Sequence, residues 1–190
     1  MTNPLNPELA AELMRRVAVD QHARGVREGQ DDVESDYEAM RAVDADNTAW
    51  LKTVVAEHGW PGHTLVGEEA ANAAWLLIQH ADRDLPFQLH GLQLLTAAVE
   101  AGEALPRHLA YLTDRCQVAQ QRQQTYGTQY FDDNKGRFGP RPVVDPTRLD
   151  ERRATMGLGP HAQYDAEIRA RYGYPPTTSD GQSTSHPDAT

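Results

Sequence analysis

Apolar residues recur at helical spacing along most of the chain, and one stretch is apolar on almost every side. Gly67, followed by Glu68 and Glu69, predicts a helix start there, because acidic residues suit the positive end of a helix dipole. From Ala70 to Ala81 the apolar positions cover most of the helix circumference. This pattern is typical of a helix surrounded by others, so we expect the rest of the chain to pack around it.

Amphipathic helices are predicted on both sides of this segment. Asn6 and Pro7 supply a cap and a first helical residue for a helix that ends near Arg24. Gly102 and Pro106 separate two later helices. By the same criteria, helices are expected over about residues 7–24, 33–57, 67–82, 85–101, 106–119, 147–153 and 161–172.

The pattern changes after residue 123. Two short patches, 126–131 and 141–144, are rich in β-forming residues, and the sequence DDNKG between them suits a turn. The last residues, from 173 to 190, are rich in Pro, Ser and Thr without periodicity, so disorder is predicted. The expected fold is therefore mainly α: a single helical domain over 1–172 with about six to seven helices, a two-stranded β-ribbon near 126–144 and a disordered C-terminal tail over 173–190.

Composition narrows the classes of function. With 39% hydrophobic and 24% charged residues, the chain is typical of a globular protein. A net charge of −10 argues against nucleic-acid binding, which needs a basic surface. We expect no membrane association and a cytoplasmic location, since no apolar run approaches the roughly 18 residues of a membrane span and the N-terminus lacks a secretory pattern. The single cysteine, Cys116, excludes an internal disulfide framework and a multi-cysteine zinc site.

Two polar residues interrupt the apolar face of the second predicted helix. Steps of three and four place Asp44 and Asn47 in line with Met40, Leu51 and Val54. A carboxylate or amide left unpaired in such a place costs several kcal/mol, so both residues should meet a partner. A structural hydrogen-bond network and a ligand-facing cluster both fit this pattern.

Three histidines lie near the central helix. His58 and His63 flank the turn before it, and His80 falls at the border of its apolar face. An imidazole titrates near neutral pH and suits general acid or base catalysis, although for His80 alone the pattern favours a structural histidine that is hydrogen-bonded to a neighbouring helix. A metal site formed by two or three of these histidines is an alternative, but the H-E-x-x-H spacing is absent, so no metal ligand is predicted.

Recognisable nucleotide-binding and hydrolase motifs are also absent from the sequence. The polar residues that stand out come from distant parts of the chain, which is how small-molecule pockets are built. Eleven of the 18 Lys and Arg residues lie between 107 and 171, a distribution that is compatible with a local arginine-rich surface facing an anionic small molecule. The predicted catalytic residues are His80 and Asp44, and the predicted substrate-binding residues are Asn47, Trp60, Gln79, Arg115, Tyr126, Gln129, Arg152 and Arg153.

Several of these residues belong to short motifs whose order and spacing resemble a bacterial family of unknown function. The resemblance spans about residues 44–164 and implies no activity. It is carried by Asp44-x-x-Asn47, Gly59-Trp60-Pro61, Val66-Gly67, Gln79-His80-Ala81-Asp82, Asp114-Arg115, Gln124-x-Tyr126-Gly127-Thr128-Gln129 and Asp150-x-Arg152-Arg153 with Gly157-Leu158.

The sequence supports two hypotheses of function. The first is a cofactor-free enzyme that acts on a small polar or anionic metabolite. In this enzyme His80 performs acid/base chemistry, Asp44 or Asn47 orients it, and Arg115 with Arg152 or Arg153 binds the anion. The second is a non-catalytic helical binding or interaction module whose buried polar residues define the packing. No pattern in the sequence indicates an oligomeric state.

Overall fold

The computed structural model describes residues 3–26, 36–133 and 135–177. Within these ranges the chain forms eight α-helices, a short 3-10 helix and two strands, which confirms the prediction of a mainly α fold with a small ribbon. The elements are α1 Pro7–Ala23, α2 Tyr37–His58, α3 His63–Val66, α4 Glu68–Gln79, α5 Leu85–Glu100, α6 Pro106–Ala119, β1 Tyr130–Asp132, β2 Phe138–Pro140, the 3-10 helix Pro146–Arg148, α7 Leu149–Thr155 and α8 His161–Arg171.

Helix α4 lies at the centre, as its apolar pattern predicts. It contacts α1, α2, α3, α5 and α6, and Ala74, Leu77 and Ile78 are buried almost completely. The larger side chains each contribute about 1.5–3 kcal/mol through burial, and the alanines let neighbouring helices approach. The helix ends at Gln79, so that His80 is its C-terminal cap and presents its side chain where the chain leaves the core.

Helix α1 packs across α4 and is fastened at its start. The Asn6 side chain accepts a hydrogen bond from the Leu9 N–H at 3.0 Å, which confirms the predicted cap. The Asn6 N–H donates to the Leu65 carbonyl at 2.8 Å, joining α1 to α3. This docking buries one face of α1, including Asp20 near its end.

Helices α5 and α6 also pack against α4 and against each other. The approach between α4 and α5 is close at Gly91, where a Cβ atom would lie 2.7 Å from Ile78 Cγ2. The short connection between these helices contains His80, Asp82 and Asp84, and Asp84 caps α5 by accepting from the Phe87 N–H at 3.1 Å. With Arg83, four titratable side chains are thus concentrated in one short connection.

The ribbon is antiparallel, with Tyr130 opposite Pro140 and Asp132 opposite Phe138. It lies within the predicted interval, but the second strand begins before the patch at 141–144. That patch pairs instead with the loop before β1: the Arg141 N–H donates to the Gln129 carbonyl at 2.9 Å. Buried Gln124 holds this loop, because its amide donates to the carbonyls of Gln129 and Arg141.

The packed part of the chain extends beyond the predicted boundary at residue 172. The Tyr174 ring stacks on Phe138 with centroids 4.4 Å apart, and the Thr177 hydroxyl donates to Asp165. The rest of the predicted tail, 178–190, lies outside the described residues. None of the helices within the described ranges is both long and apolar enough to cross a membrane.

Candidate functional site

Four polar side chains from three helices meet beside the end of α4. Asp20 and Arg24 come from α1, Asp44 from α2, and His80 caps α4. We call these four residues the carboxylate–histidine cluster. It contains the two predicted catalytic residues, His80 and Asp44, together with two residues that the sequence analysis did not select.

The contact between His80 and Asp20 defines the geometry of the cluster. His80 Nδ1 lies 3.0 Å from both carboxylate oxygens of Asp20, whose side chain is only 1% exposed. Because a carboxylate can only accept, Nδ1 carries the proton and Nε2 is left as the basic nitrogen. Within the described ranges no group forms a hydrogen bond with Nε2.

The two carboxyl groups of the cluster have opposite pKa shifts. Burial raises the pKa of Asp20, but the hydrogen bond and charge of His80 and the charge of Arg24 outweigh it, so the net pKa is lowered. Burial also raises the pKa of Asp44, and there the Arg24 guanidinium compensates only in part, so the pKa stays above its ordinary value. Asp20 is therefore suited to remain ionised, and Asp44 is the better proton donor.

A cavity of about 260 Å³ opens beside the cluster, and His80 and Asp44 both line it. We call it the His80 cavity. Lys52 pairs with Asp84 at its edge, and Arg83 is exposed, without a hydrogen-bond or ion-pair partner in the part of the chain that is described. Its lining residues are Asp44, Ala45, Thr48, Ala49, Lys52, His80, Ala81, Arg83 and Asp84.

The carboxylate–histidine cluster also has the spacing of a possible cation site. One ligand atom each from Asp20, Asp44 and His80 lies within 4.8 Å of the other two. However, Arg24 donates to both carboxylates, from Nε to Asp20 and from Nη2 to Asp44. A guanidinium already places positive charge at these oxygens, so the arrangement fits an ion-paired cluster better than a metal site.

Asn47 lies one helical turn from Asp44 but in a different environment. Its side-chain oxygen accepts from Arg16 Nη1 at 2.9 Å, and Asp44 pairs with Arg24, so both residues meet a partner as predicted. The Asn47 amide is satisfied only at its oxygen, because Nδ2 is buried without a hydrogen-bond partner among the described residues. Asn47 lines a separate cavity with Arg15, Arg16, Val19, Ala42, Val43 and Asp46. The structure does not bring it to His80.

Three other predicted binding residues meet in a second cavity, of about 430 Å³, which we call the aromatic cavity. Gln79, Arg115 and Gln129 line it together with six aromatic residues. Arg115 forms a two-point contact with Asp82, from Nε at 2.7 Å and Nη2 at 2.5 Å. The lining residues are Gln79, Tyr111, Arg115, Thr128, Gln129, Tyr130, Phe131, Asp132, Phe138, Tyr164, Ile168 and Tyr172.

The remaining predicted arginines hold loops in place. Arg152 donates to the backbone carbonyls of Thr125, Val144 and Asp145. Arg153 is 2% exposed and donates to the carbonyls of Gly159 and Tyr126. These hydrogen bonds engage two of the three guanidinium nitrogens of each arginine.

Buried Asp114 organises the loop that contains Tyr126. Its carboxylate accepts from the N–H groups of Thr125, Tyr126 and Thr128 and from the Thr128 hydroxyl. This loop forms part of the wall of the aromatic cavity, to which it contributes Thr128 and Gln129. Tyr126 does not line either cavity, and its backbone rather than its hydroxyl carries the contacts.

Trp60 and the other two histidines lie apart from the cluster. Trp60 packs against the hydrophobic core. His58 lies 3.6 Å from Glu57, and His63 begins α3. Of the three histidines in this region, only His80 takes part in the cluster.

A further cavity, of about 720 Å³, lies beside β2, α7 and α8. Both of its carboxylates are hydrogen-bonded to protein groups: Asp150 accepts from the His161 N–H, and Asp165 accepts from Tyr130, Arg169 and Thr177. We therefore take the smaller His80 cavity as the candidate site, although the cavity beside α7 and α8 has the larger volume.

Sequence reasoning missed Asp20 although a signal was present. Asp20 follows Leu9, Leu13 and Val17 at helical steps on the buried face of α1, which is the same kind of interruption that identified Asp44. Arg24 is one turn further on and pairs with Asp20. By the criterion that identified Asp44, Asp20 belongs among the predicted site residues.

Comparison with known proteins identifies a family but no activity. The model of a family described as "Family of unknown function (DUF6624)" matches residues 7–175, in agreement with the resemblance noted from the motifs. No curated protein and no solved structure matches the chain.

Proposed function

We propose an activity for this chain, which belongs to the DUF6624 family of unknown function: it is an acid/base enzyme that acts on a small anionic metabolite in the His80 cavity. One observation carries the proposal. His80 is oriented by a buried carboxylate through Nδ1, and it lines a cavity while Nε2 has no partner among the described residues.

The chemistry depends on the roles of three side chains. His80 Nε2 removes a proton from the substrate or from a bound water molecule and becomes an imidazolium, which ionised Asp20 stabilises. Asp44, whose pKa is raised, donates a proton to the atom where negative charge develops. Proton return from His80 to Asp44, directly or through water, restores the starting state.

Charge and size define the substrate class. Arg83 lines the cavity, and its guanidinium, which has no partner among the described residues, suits a carboxylate or phosphate. Lys52 also lines the cavity but is paired with Asp84. A volume of about 260 Å³ is below the roughly 300–1,000 Å³ of sites for drug-sized ligands, so the substrate has few heavy atoms. Arg115, Arg152 and Arg153 are not assigned this role, because none of them lines the His80 cavity.

An assay that does not require a known reaction tests the proposal. The protein is incubated in D₂O with pools of small carboxylated and phosphorylated metabolites, and proton NMR follows both deuterium incorporation and conversion. His80→Gln should abolish any change, and Asp20→Asn should lower its rate by about 10²-fold or more, as expected for a group that orients and stabilises a general base.

His90→Gln is the matched control, because His90 is exposed on α5 and lies outside the cavity. Equal rates in wild type and His80→Gln, or no change in any pool, would contradict an enzyme at this site. The non-catalytic binding module would then be the better hypothesis.

A further inference from the structure

We infer that the aromatic cavity binds a flat heteroaromatic compound whose edge presents an N–H donor next to a carbonyl, as uracil-type and hypoxanthine-type bases do. This binding site is distinct from the proposed acid/base site. The aromatic and His80 cavities share no lining residue, although Gln79 and His80 are neighbours in the chain.

Gln79 supplies the first requirement of the ligand. Its side chain lines the aromatic cavity and the residue is only 7% exposed. The side-chain oxygen Oε1 is fully buried and has no hydrogen-bond partner among the described residues. Buried acceptors are almost always satisfied in proteins, so a ligand N–H or O–H donor that meets this oxygen after a small rotation of the Gln79 amide would complete the site.

Arg115 supplies the second requirement. Its Nε and Nη2 contact Asp82, and Asp82 is itself held by the amide of buried Gln88 at 3.0 Å. The guanidinium is thus oriented, while its third nitrogen, Nη1, donates to no other group in the described ranges. This nitrogen can donate to a carbonyl oxygen of the ligand.

Aromatic rings supply the third requirement. Tyr164 lies edge-to-face against Tyr111 and Tyr130, with centroids 6.2 and 5.9 Å apart. Its hydroxyl donates to the Thr128 carbonyl, and that of Tyr130 donates to Asp165. With the hydroxyls engaged, the rings offer faces and edges to a planar molecule.

These requirements together favour one chemical class. An acceptor on Gln79 and a donor on Arg115 match an edge that contains adjacent donor and acceptor groups, and an aromatic wall favours a flat ring. A cavity of about 430 Å³ is within the range of small-molecule sites and can accept the base of a nucleoside.

Titration calorimetry with uridine and inosine tests the inference, with 3-methyluridine and 1-methylinosine as matched compounds that lack the N–H. We expect at least one nucleoside to bind with a Kd below about 1 mM. Its methylated form should bind at least about tenfold more weakly, as the loss of one hydrogen bond predicts.

Two variants connect binding to the cavity. Gln79→Met removes the acceptor at similar volume and should abolish the discrimination against the methylated compound, whereas Gln93→Met, at an exposed position of α5, should not. Arg115→Met, at a partly exposed side chain, should weaken binding about tenfold and serves as the second test if Gln79→Met does not fold.

The experiment also separates this inference from the proposed enzyme. His80→Gln should bind the nucleoside as wild type does, even where it abolishes turnover. No saturable binding of either nucleoside up to about 10 mM, equal binding of the methylated compounds, or unchanged binding in the folded variants would each overturn the inference.

Discussion

His80 Nδ1 lies 3.0 Å from both carboxylate oxygens of Asp20, a residue sixty positions earlier in the chain. The contact joins the end of the buried central helix α4 to α1. It therefore has two physical consequences. It stabilises the packing of two helices, and it sets which imidazole nitrogen is free to accept a proton.

The Asp20 contact predicts how stability depends on pH. The pKa of Asp20 is lowered from 3.8 in the fold, so its contribution to stability is present above about pH 4 and is lost as the pH falls through the lower folded pKa. Asp20→Asn should cost about 1–3 kcal/mol at pH 7, because it removes charge-assisted hydrogen bonds to His80 and Arg24.

Urea unfolding of wild type and Asp20→Asn at several pH values measures this difference. The gap between the two proteins should narrow as the pH is lowered below about 4. A gap that is equally large at acidic pH would show that the carboxylate charge is not what stabilises the contact.

Much of the fold could be predicted from the sequence, because helical spacing and caps act locally. The Asn6 cap and the burial of α4 were readable in this way. The sequence could not show that the predicted catalytic and binding residues lie in different cavities. Periodicity indicates which face of a helix a residue occupies, but not which element that face contacts. Gln79 and His80 illustrate the limit, since one residue lies in α4 and the next caps it, and their side chains line different cavities.

Buried carboxylates that bind backbone groups were harder still to recognise. Asp114 looks from the sequence like a surface residue beside Arg115, yet it is fully buried and accepts from the N–H groups of a loop. The donors are backbone groups, which every residue carries, so no residue type marks them. Only the tertiary structure decides that Asp114 is buried whereas its neighbour Arg115 is partly exposed.

Two arginines predicted to bind substrate should differ sharply in their effect on stability. Arg153→Met should cost about 2–4 kcal/mol, because the guanidinium is buried, donates to two backbone carbonyls and lies 5.0 Å from the Tyr164 ring centre. Arg115→Met should cost less than about 1 kcal/mol, since its pair with Asp82 is partly exposed.

Chemical denaturation of the two variants provides the comparison. Similar losses for both would contradict the assignment of Arg153 to loop packing. A large loss for Arg115→Met alone would show that its pair with Asp82 is a main support of the α4–α5 turn.

Gly127 should be more sensitive to substitution than Gly102, although both have positive φ angles, 70° and 75°. An alanine Cβ at Gly102 would meet nothing within 4 Å, so the cost is the backbone strain of about 1–2 kcal/mol. At Gly127 the Cβ would lie 2.8 Å from His161 Cδ2, which adds about 1–3 kcal/mol of overpacking.

The difference between Gly127→Ala and Gly102→Ala isolates this close contact, because the strain is common to both. Equal free energies of unfolding for the two variants would mean that His161 moves aside without cost.

Two truncations test where the folded chain ends. A chain ending at Thr177 should melt within about 1–2 °C of the full-length protein, since residues 178–190 contain almost no apolar side chains to offset their ordering entropy. A chain ending at Gly173 should melt a few degrees lower, because it loses Tyr174 and Thr177 and their contacts with Phe138 and Asp165. Identical melting temperatures for the two truncated proteins would place the boundary back at 173.

Arg24 predicts the response of the carboxylate–histidine cluster to metal ions. Its guanidinium contacts both Asp20 and Asp44, so added Mn²⁺ or Zn²⁺ must compete with a charge that is already in place. Wild-type protein should therefore show no rise in melting temperature with either ion and no loss with a chelator. Arg24→Met leaves two carboxylates facing each other, which should lower stability by about 3–5 kcal/mol.

In Arg24→Met, Mn²⁺ should restore part of the lost stability, because a cation can then bind the oxygens that the guanidinium occupied. Thermal denaturation with and without Mn²⁺ measures this in both proteins, and Arg15→Met, at an exposed position on α1, is the control. A metal-dependent rise in the wild type would mean that Arg24 does not exclude cations. Asp20, Asp44 and His80 would then be metal ligands, and His80 would bind the ion rather than accept a proton.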